Sequence, residues 1–272
     1  MALDVSVPAR RAQRNNVMLH TRASSGVVVL VLLMLLGFGL TLGAAPASQP
    51  ATSPAQQSID SVRTWYFQLA DRDPEVRERA RISLMGVKRK DLAALEKVVA
   101  ENRPVQASQA AVLYDIVTHV YMAGEPYRAA ETAGGFLGMR WDPSERDFWD
   151  DPPGVIVSQR LPGFVAYRML RTGDVIVGIA EMPDLQFATR TDFTSVMQRV
   201  PPGTTLTFVV LRGGKRQHVP IQLDARPVVA LQGQPPDLMS AFEAERQNKA
   251  EEYWGRAFAP LVGDQSVSAA HP

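Results

Sequence analysis

The chain has 272 residues, with Lys+Arg 29 against Asp+Glu 28 and no cysteine. The even charge balance excludes a broad nucleic-acid-binding face, which needs a surplus of cations. The lack of cysteine excludes thiol nucleophiles, thiolate metal sites and disulfides, so any exported form must rely on its apolar cores. The densest basic patch, Lys88-Arg89-Lys90, reads as a solvated helix end.

Arg10, Arg11, Arg14 and Arg22 precede an uncharged run from Gly26 to Leu42, and small residues follow to Ala47. A basic start, an apolar middle and an Ala-x-Ala end make a secretory signal, with cleavage near Ala47. The run is also close to the length of a membrane span, so residues 1–47 read as a signal peptide or an uncleaved anchor. Either way the arginines stay inside and the remainder is delivered outside the cytoplasm, periplasmic or secreted. Residues 48–58, rich in Ser, Pro, Ala and Gln, read as a flexible linker.

Residues 59–133 carry apolar positions at helical spacing. Val62, Trp65, Tyr66 and Leu69 form the first face. Asp73 before Pro74 suits an N-cap with Pro at the first helical position, and Val76, Ala80 and Leu84 carry that second helix to Gly86. Leu92, Leu95, Val98 and Val99 mark a third helix. Ala111, Leu113, Ile116, Val117 and Val120 mark a fourth, ending before Gly124. The run from Leu69 through Asp71, Asp73, Pro74, Val76, Arg77 and Ala80 to Leu84 resembles a HEAT-repeat helix. The resemblance covers one clear repeat, which implies a small helical module and not a long solenoid.

From Gly134 to Pro227 the texture changes to short β-type runs: Val155 to Val157, Val175 to Val177, Leu206 to Leu211 and His218 to Leu223. Asp192 to Val200 reads as one short amphipathic helix. Four motifs in order carry a resemblance to the PDZ domains of bacterial HtrA-type proteases. They are Gly135-Phe136-Leu137-Gly138-Met139, Gly154 to Val157 with Leu161-Pro162-Gly163, Leu170-Arg171-Thr172-Gly173-Asp174-Val175-Ile176, and Asp192-Phe193 with Met197, Pro202-Gly203 and the turn Arg212 to Lys215. Two departures stand against the pattern: Met169 sits where the family has Gly, and the acidic loop 140–153 is longer.

The resemblance implies an α+β fold: a small HEAT-like helical module followed by a PDZ-type partly open β-barrel or sandwich with two helices. It also implies a groove that captures an extended or C-terminal peptide by strand addition. Phe136, Leu137, Gly138 and Met139 would bind the peptide's carboxylate and wall its last side chain, with Val196 or Met197 facing them from the helix. Gly138 would let backbone donors converge on the anion. Its replacement by Val is expected to weaken binding and leave a surface loop's fold largely intact. Phe193 and Val200 read as core.

The acidic loop holds Trp141, Phe148 and Trp149, either as a rim for a ligand or as aromatics tucked onto the domain; its carboxylates lack the spacing of a calcium loop. The sequence has no G-x-S-x-G and no H-E-x-x-H. His119, four residues after Asp115, reads as a helix-surface contact, and His218 as a strand residue. The expectation is therefore a non-enzymatic peptide-binding protein without cofactor, metal or nucleic acid. The alternatives are an anchored scaffold of an envelope or secretion complex, or a regulatory subunit of an exported protease carried on another chain. Its partner would be a protein C-terminus or extended segment, in an oligomeric state the sequence leaves open. Residues 228–272 read as a C-terminal helix, docked on the domains by default, and a flexible tail.

Overall fold

The computed structural model describes residues 54–130, 132–143, 154–185, 187, 190–231 and 233–263. The signal-or-anchor segment, most of the acidic loop and the tail after 263 lie outside the described residues. No helix among the described residues is long and apolar enough to cross a membrane.

The fold is mixed α+β. In chain order the helices are α1 (Pro54–Gln68), α2 (Pro74–Met85), α3 (Leu92–Glu101), α4 (Ala107–Ala123), α5 (Val165–Met169), α6 (Arg190–Arg199), α7 (Pro236–Ala257) and α8 (Ala259–Val262). The strands are β1 (Met139–Pro143), β2 (Val155–Arg160), β3 (Val175–Ile179), β4 (Thr205–Arg212) and β5 (Lys215–Gln222). They form one antiparallel sheet in the order β1-β2-β3-β4-β5, so the sheet is open, with β1 and β5 at its edges.

Helix α1 begins at Pro54, inside the stretch read as linker. Asp73 caps α2, its side chain accepting from the Glu75 N–H at 2.8 Å, and Pro74 opens the helix where its missing N–H costs nothing. The periodic residues Val62, Tyr66, Leu84, Leu95, Val98, Leu113, Ile116 and Val120 are all buried in one helical core. Trp254 and Phe258, from the far end of the chain, complete it, so α7 docks on this core and packs against α4.

A second core lies on the sheet, where Val157, Ile176, Phe208, Val210 and Ile221 meet Ala166 and Leu170 of the α5 segment and Phe193 and Val200 of the α6 segment. The Leu170–Ile176 motif has a structural reason. Gly173 takes a φ of +88° in the turn and donates to the Val157 carbonyl at 2.8 Å. Asp174 is buried; it accepts from the Arg171 N–H at 2.7 Å and holds Arg212 by Nε at 2.9 Å and Nη2 at 2.7 Å. A buried carboxylate so fully paired fixes the turn to strand β4.

Between the two cores runs a polar seam. Arg81 donates to the Arg168 carbonyl at 3.0 Å, and Arg160 to the carbonyls of Tyr167 and Leu170, each at 3.0 Å. Arg246, only 3% exposed, donates to the Met122 carbonyl among the rings of Tyr127, Phe164 and Phe242. His119 is no surface contact of Asp115. Its Nδ1 accepts from the Gly163 N–H at 3.1 Å and its ring stacks on Tyr167, whose hydroxyl donates to Asp115 instead.

Candidate functional site

The segment 134–138 threads between the ends of α6 and β5. Gly135 donates to the Val200 carbonyl at 2.6 Å, and Phe136 exchanges two bonds with Asp224, at 2.9 and 3.0 Å. The Leu137 and Gly138 carbonyls are taken by the N–H groups of Ala166 and Leu161, at 2.9 and 2.8 Å. The N–H groups of Leu137 and Gly138 have no hydrogen-bond partner among the described residues. Two consecutive donors are thus left at the head of a cavity of about 130 Å³ between this segment and α6.

Phe136, Leu137, Gly138 and Met139 all line that cavity, and Met197 closes it from the helix. Val196 does not reach it; one residue away on the helix, its side chain lies in the sheet core at 5% exposure. Phe193, expected as core, is both buried and part of the cavity wall, together with Thr194.

Two further lining residues are Trp141, which the sequence left as a ligand rim or an aromatic tucked onto the domain, and Arg226, which it did not mark. Trp141 was read in a loop, yet residues 139–143 form the edge strand β1. The alternation of Met139 and Trp141 with Arg140 and Asp142 is the period-two signal that marks it. Arg226 lines the cavity with its guanidinium 5.2 Å from the centre of the Phe136 ring, and donates to the Gly135 carbonyl at 3.3 Å. Burial pushes its pKa down, yet it remains a cation at neutral pH. Nothing in the sequence around Arg226 separates it from other surface arginines.

A second, polar crevice of about 240 Å³ lies in the seam, where His119, Arg168 and Asp224 line it. Burial, aided by the charges of Arg168, Arg81, Arg246 and Arg160, holds the His119 pKa down to about 3. Burial raises the Asp224 carboxyl to about 6, although it accepts from the Val165 N–H at 2.6 Å.

No family model and no curated protein matches the sequence. Solved structures similar to the chain include proteases. The serine endoprotease from Yersinia pestis is 20% identical over 35% of this chain and 30% of its own, with a TM-score of 0.28. The HtrA-type protease AlgW with decapeptide is 21% identical over 46% of this chain and 36% of its own, with a TM-score of 0.31. Mature CPAF complexed with lactacystin is 12% identical over 68% of this chain and 39% of its own, with a TM-score of 0.23. The chain thus spans between 30% and 39% of these structures' own length. These neighbours correct one expectation: the similar structures are enzymes, so the reading of the chain as a non-enzymatic protein does not stand. TM-scores this low equally assign it no activity.

Proposed function

We propose that this chain receives the carboxyl-terminal end of an extended peptide in the cavity beside β1 and α6, with residues 134–227 acting as a PDZ-type domain of the HtrA class. The observation that carries this reading is the pair of N–H groups at Leu137 and Gly138 without a hydrogen-bond partner among the described residues, set over an apolar cavity that Arg226 also lines. Consecutive backbone donors in a turn form a concave anion site, and charge-assisted bonds to a carboxylate are about twice as strong as neutral ones. Among the described residues β1 is an edge strand of the sheet, the kind of position at which an extended peptide adds to a sheet. The four sequence motifs tie this recognition to proteolysis, as the end of a substrate or of a regulating peptide. The reading concerns recognition and does not rest on the chain lacking a catalytic activity.

Residues 59–133 serve, in the same proposal, as a HEAT-like support, and the basic and apolar N-terminal pattern of the sequence supports a location outside the cytoplasm. The test is a titration of peptides as free acids and as C-terminal amides against the wild type and Arg226→Gln. Amidation should weaken binding at least tenfold, and Arg226→Gln should weaken only the free acids. Equal binding of acid and amide would overturn the proposal.

A further inference from the structure

The depth of the cavity is set by a device outside the four motifs. Strands β1 and β2 change register between Arg140 and Trp141: Arg140 faces Gln159, while Trp141 faces Val157 and passes over Ser158. A bulge of this kind re-aims the side chain beside it. Trp141 is set opposite Val157, which is fully buried, and reaches across to Phe193 on α6, ring centres 5.0 Å apart and edge-on at 71°. Phe193 rests in turn on Phe187 at 5.3 Å and 82°. Both phenylalanines are buried, at 3% and 1% exposure, so the wall Trp141 leans on is anchored in the core.

The space left is about 130 Å³. An apolar cavity of roughly 150 Å³ accommodates a benzene ring alone. Here the same space must admit a carboxylate at the Leu137 and Gly138 donors as well as a side chain. A methyl or isopropyl group fits within the walls of Met139, Trp141 and Met197, whereas a phenyl or indole ring would stand partly out of them into solvent.

We infer that Trp141, braced by Phe193, sets an upper size limit at this pocket, so that the chain takes peptides ending in Ala or Val and turns away those ending in Phe or Trp. The inference rests on the peptide-end reading above and names its ligand class. The apolar contact of Trp141 itself adds to the grip on a small side chain, because a snug wall keeps the dispersion contacts that a gap forfeits.

The experiment uses labelled peptides with one common body, ending in Ala, Val, Leu or Phe, each as free acid and as amide, against the full chain. Val and Ala acids should bind at least tenfold more tightly than the Phe acid. Trp141→Ala should bring the Phe acid within about twofold of the Val acid, and the milder Trp141→Leu should move it part of the way in a variant that keeps an apolar wall. If the Phe acid binds the wild type as tightly as the Val acid while every amide fails, the size limit is wrong and the peptide-end reading stands. If acids and amides bind alike whatever their last residue, the peptide-end reading itself falls, and the inference with it.

Discussion

The helical core and the candidate pocket are built in opposite ways. In the helical core each helix supplies a face of regularly spaced apolar residues, and burying that face is its whole contribution. In the pocket, distant pieces of chain converge: the segment 135–138 leading into strand β1, helix α6, Arg226 and, beneath them, Phe187. A core of the first kind tolerates the exchange of one apolar residue for another of like volume. A site of the second kind depends on backbone position, and small steric changes reach it directly.

The largest expected effect tests whether the helical core is as local as its spacing suggests. Phe258 is fully buried and stacks on Trp254 with ring centres 5.6 Å apart, although it lies more than a hundred residues from most of that core. Phe258→Ala should cost about 3–5 kcal/mol in urea denaturation. An unchanged midpoint would mean that the helices before residue 124 form a finished core by themselves.

A smaller effect is expected at Gly138, and it corrects the reading of that glycine as a residue of a surface loop. Its φ is +71°, and a Cβ added there would lie 2.0 Å from the Cβ of Phe164, which is itself buried. Gly138→Ala should therefore destabilise the fold by about 1–3 kcal/mol, from the left-handed backbone together with displacement of Phe164. Thermal unfolding checks it. A variant with wild-type stability and weakened peptide binding would restore the purely functional role. Gly138 thus joins the pocket to the seam, and variants there report on both.

The smallest effect separates two titrating groups in the seam. His119 is held near 3 from an ordinary 6.5, so its contribution is present above pH 6.5 and is lost as pH falls toward 3. Asp224 is raised to about 6 from 3.8, so the cost of its ionised form is greatest above pH 6 and fades as pH falls toward 3.8. Between pH 7 and pH 5 the first loses about 2 kcal/mol and the second returns about 1 kcal/mol. The wild type should fall only slightly over that window in urea titrations. Asp224→Asn should lose about 2 kcal/mol on acidification, and His119→Gln should gain about 1 kcal/mol. Parallel pH profiles in the two variants would show that neither group carries the shift assigned to it.

Much of this was legible in the residues. The helical faces of α1 to α4 and four of the five strands follow from period, capping and turn chemistry, all of which act within a few residues. The loop residues Phe136 to Met139 were drawn from motif resemblance, and all four line the cavity. The fifth strand was hidden because Met139 and Trp141 alternate with charged neighbours over too short a run, next to an acidic stretch that reads as loop. The choice between Val196 and Met197 was open because adjacent helix positions differ by about 100° and only the packing partner decides which of them faces the strand.

By itself, then, the sequence determined what short-range physics can encode: helix faces, caps, four of the strands and the absence of any thiol chemistry. The tertiary structure alone decided which pieces meet. It brought Arg226 to Phe136, aimed Trp141 through a bulge at Phe193, and buried Arg246 against the Met122 carbonyl. Each of these contacts joins residues whose local sequence carries no mark of the other, because the free energy that selects them comes from packing of the whole and not from the preference of any one segment.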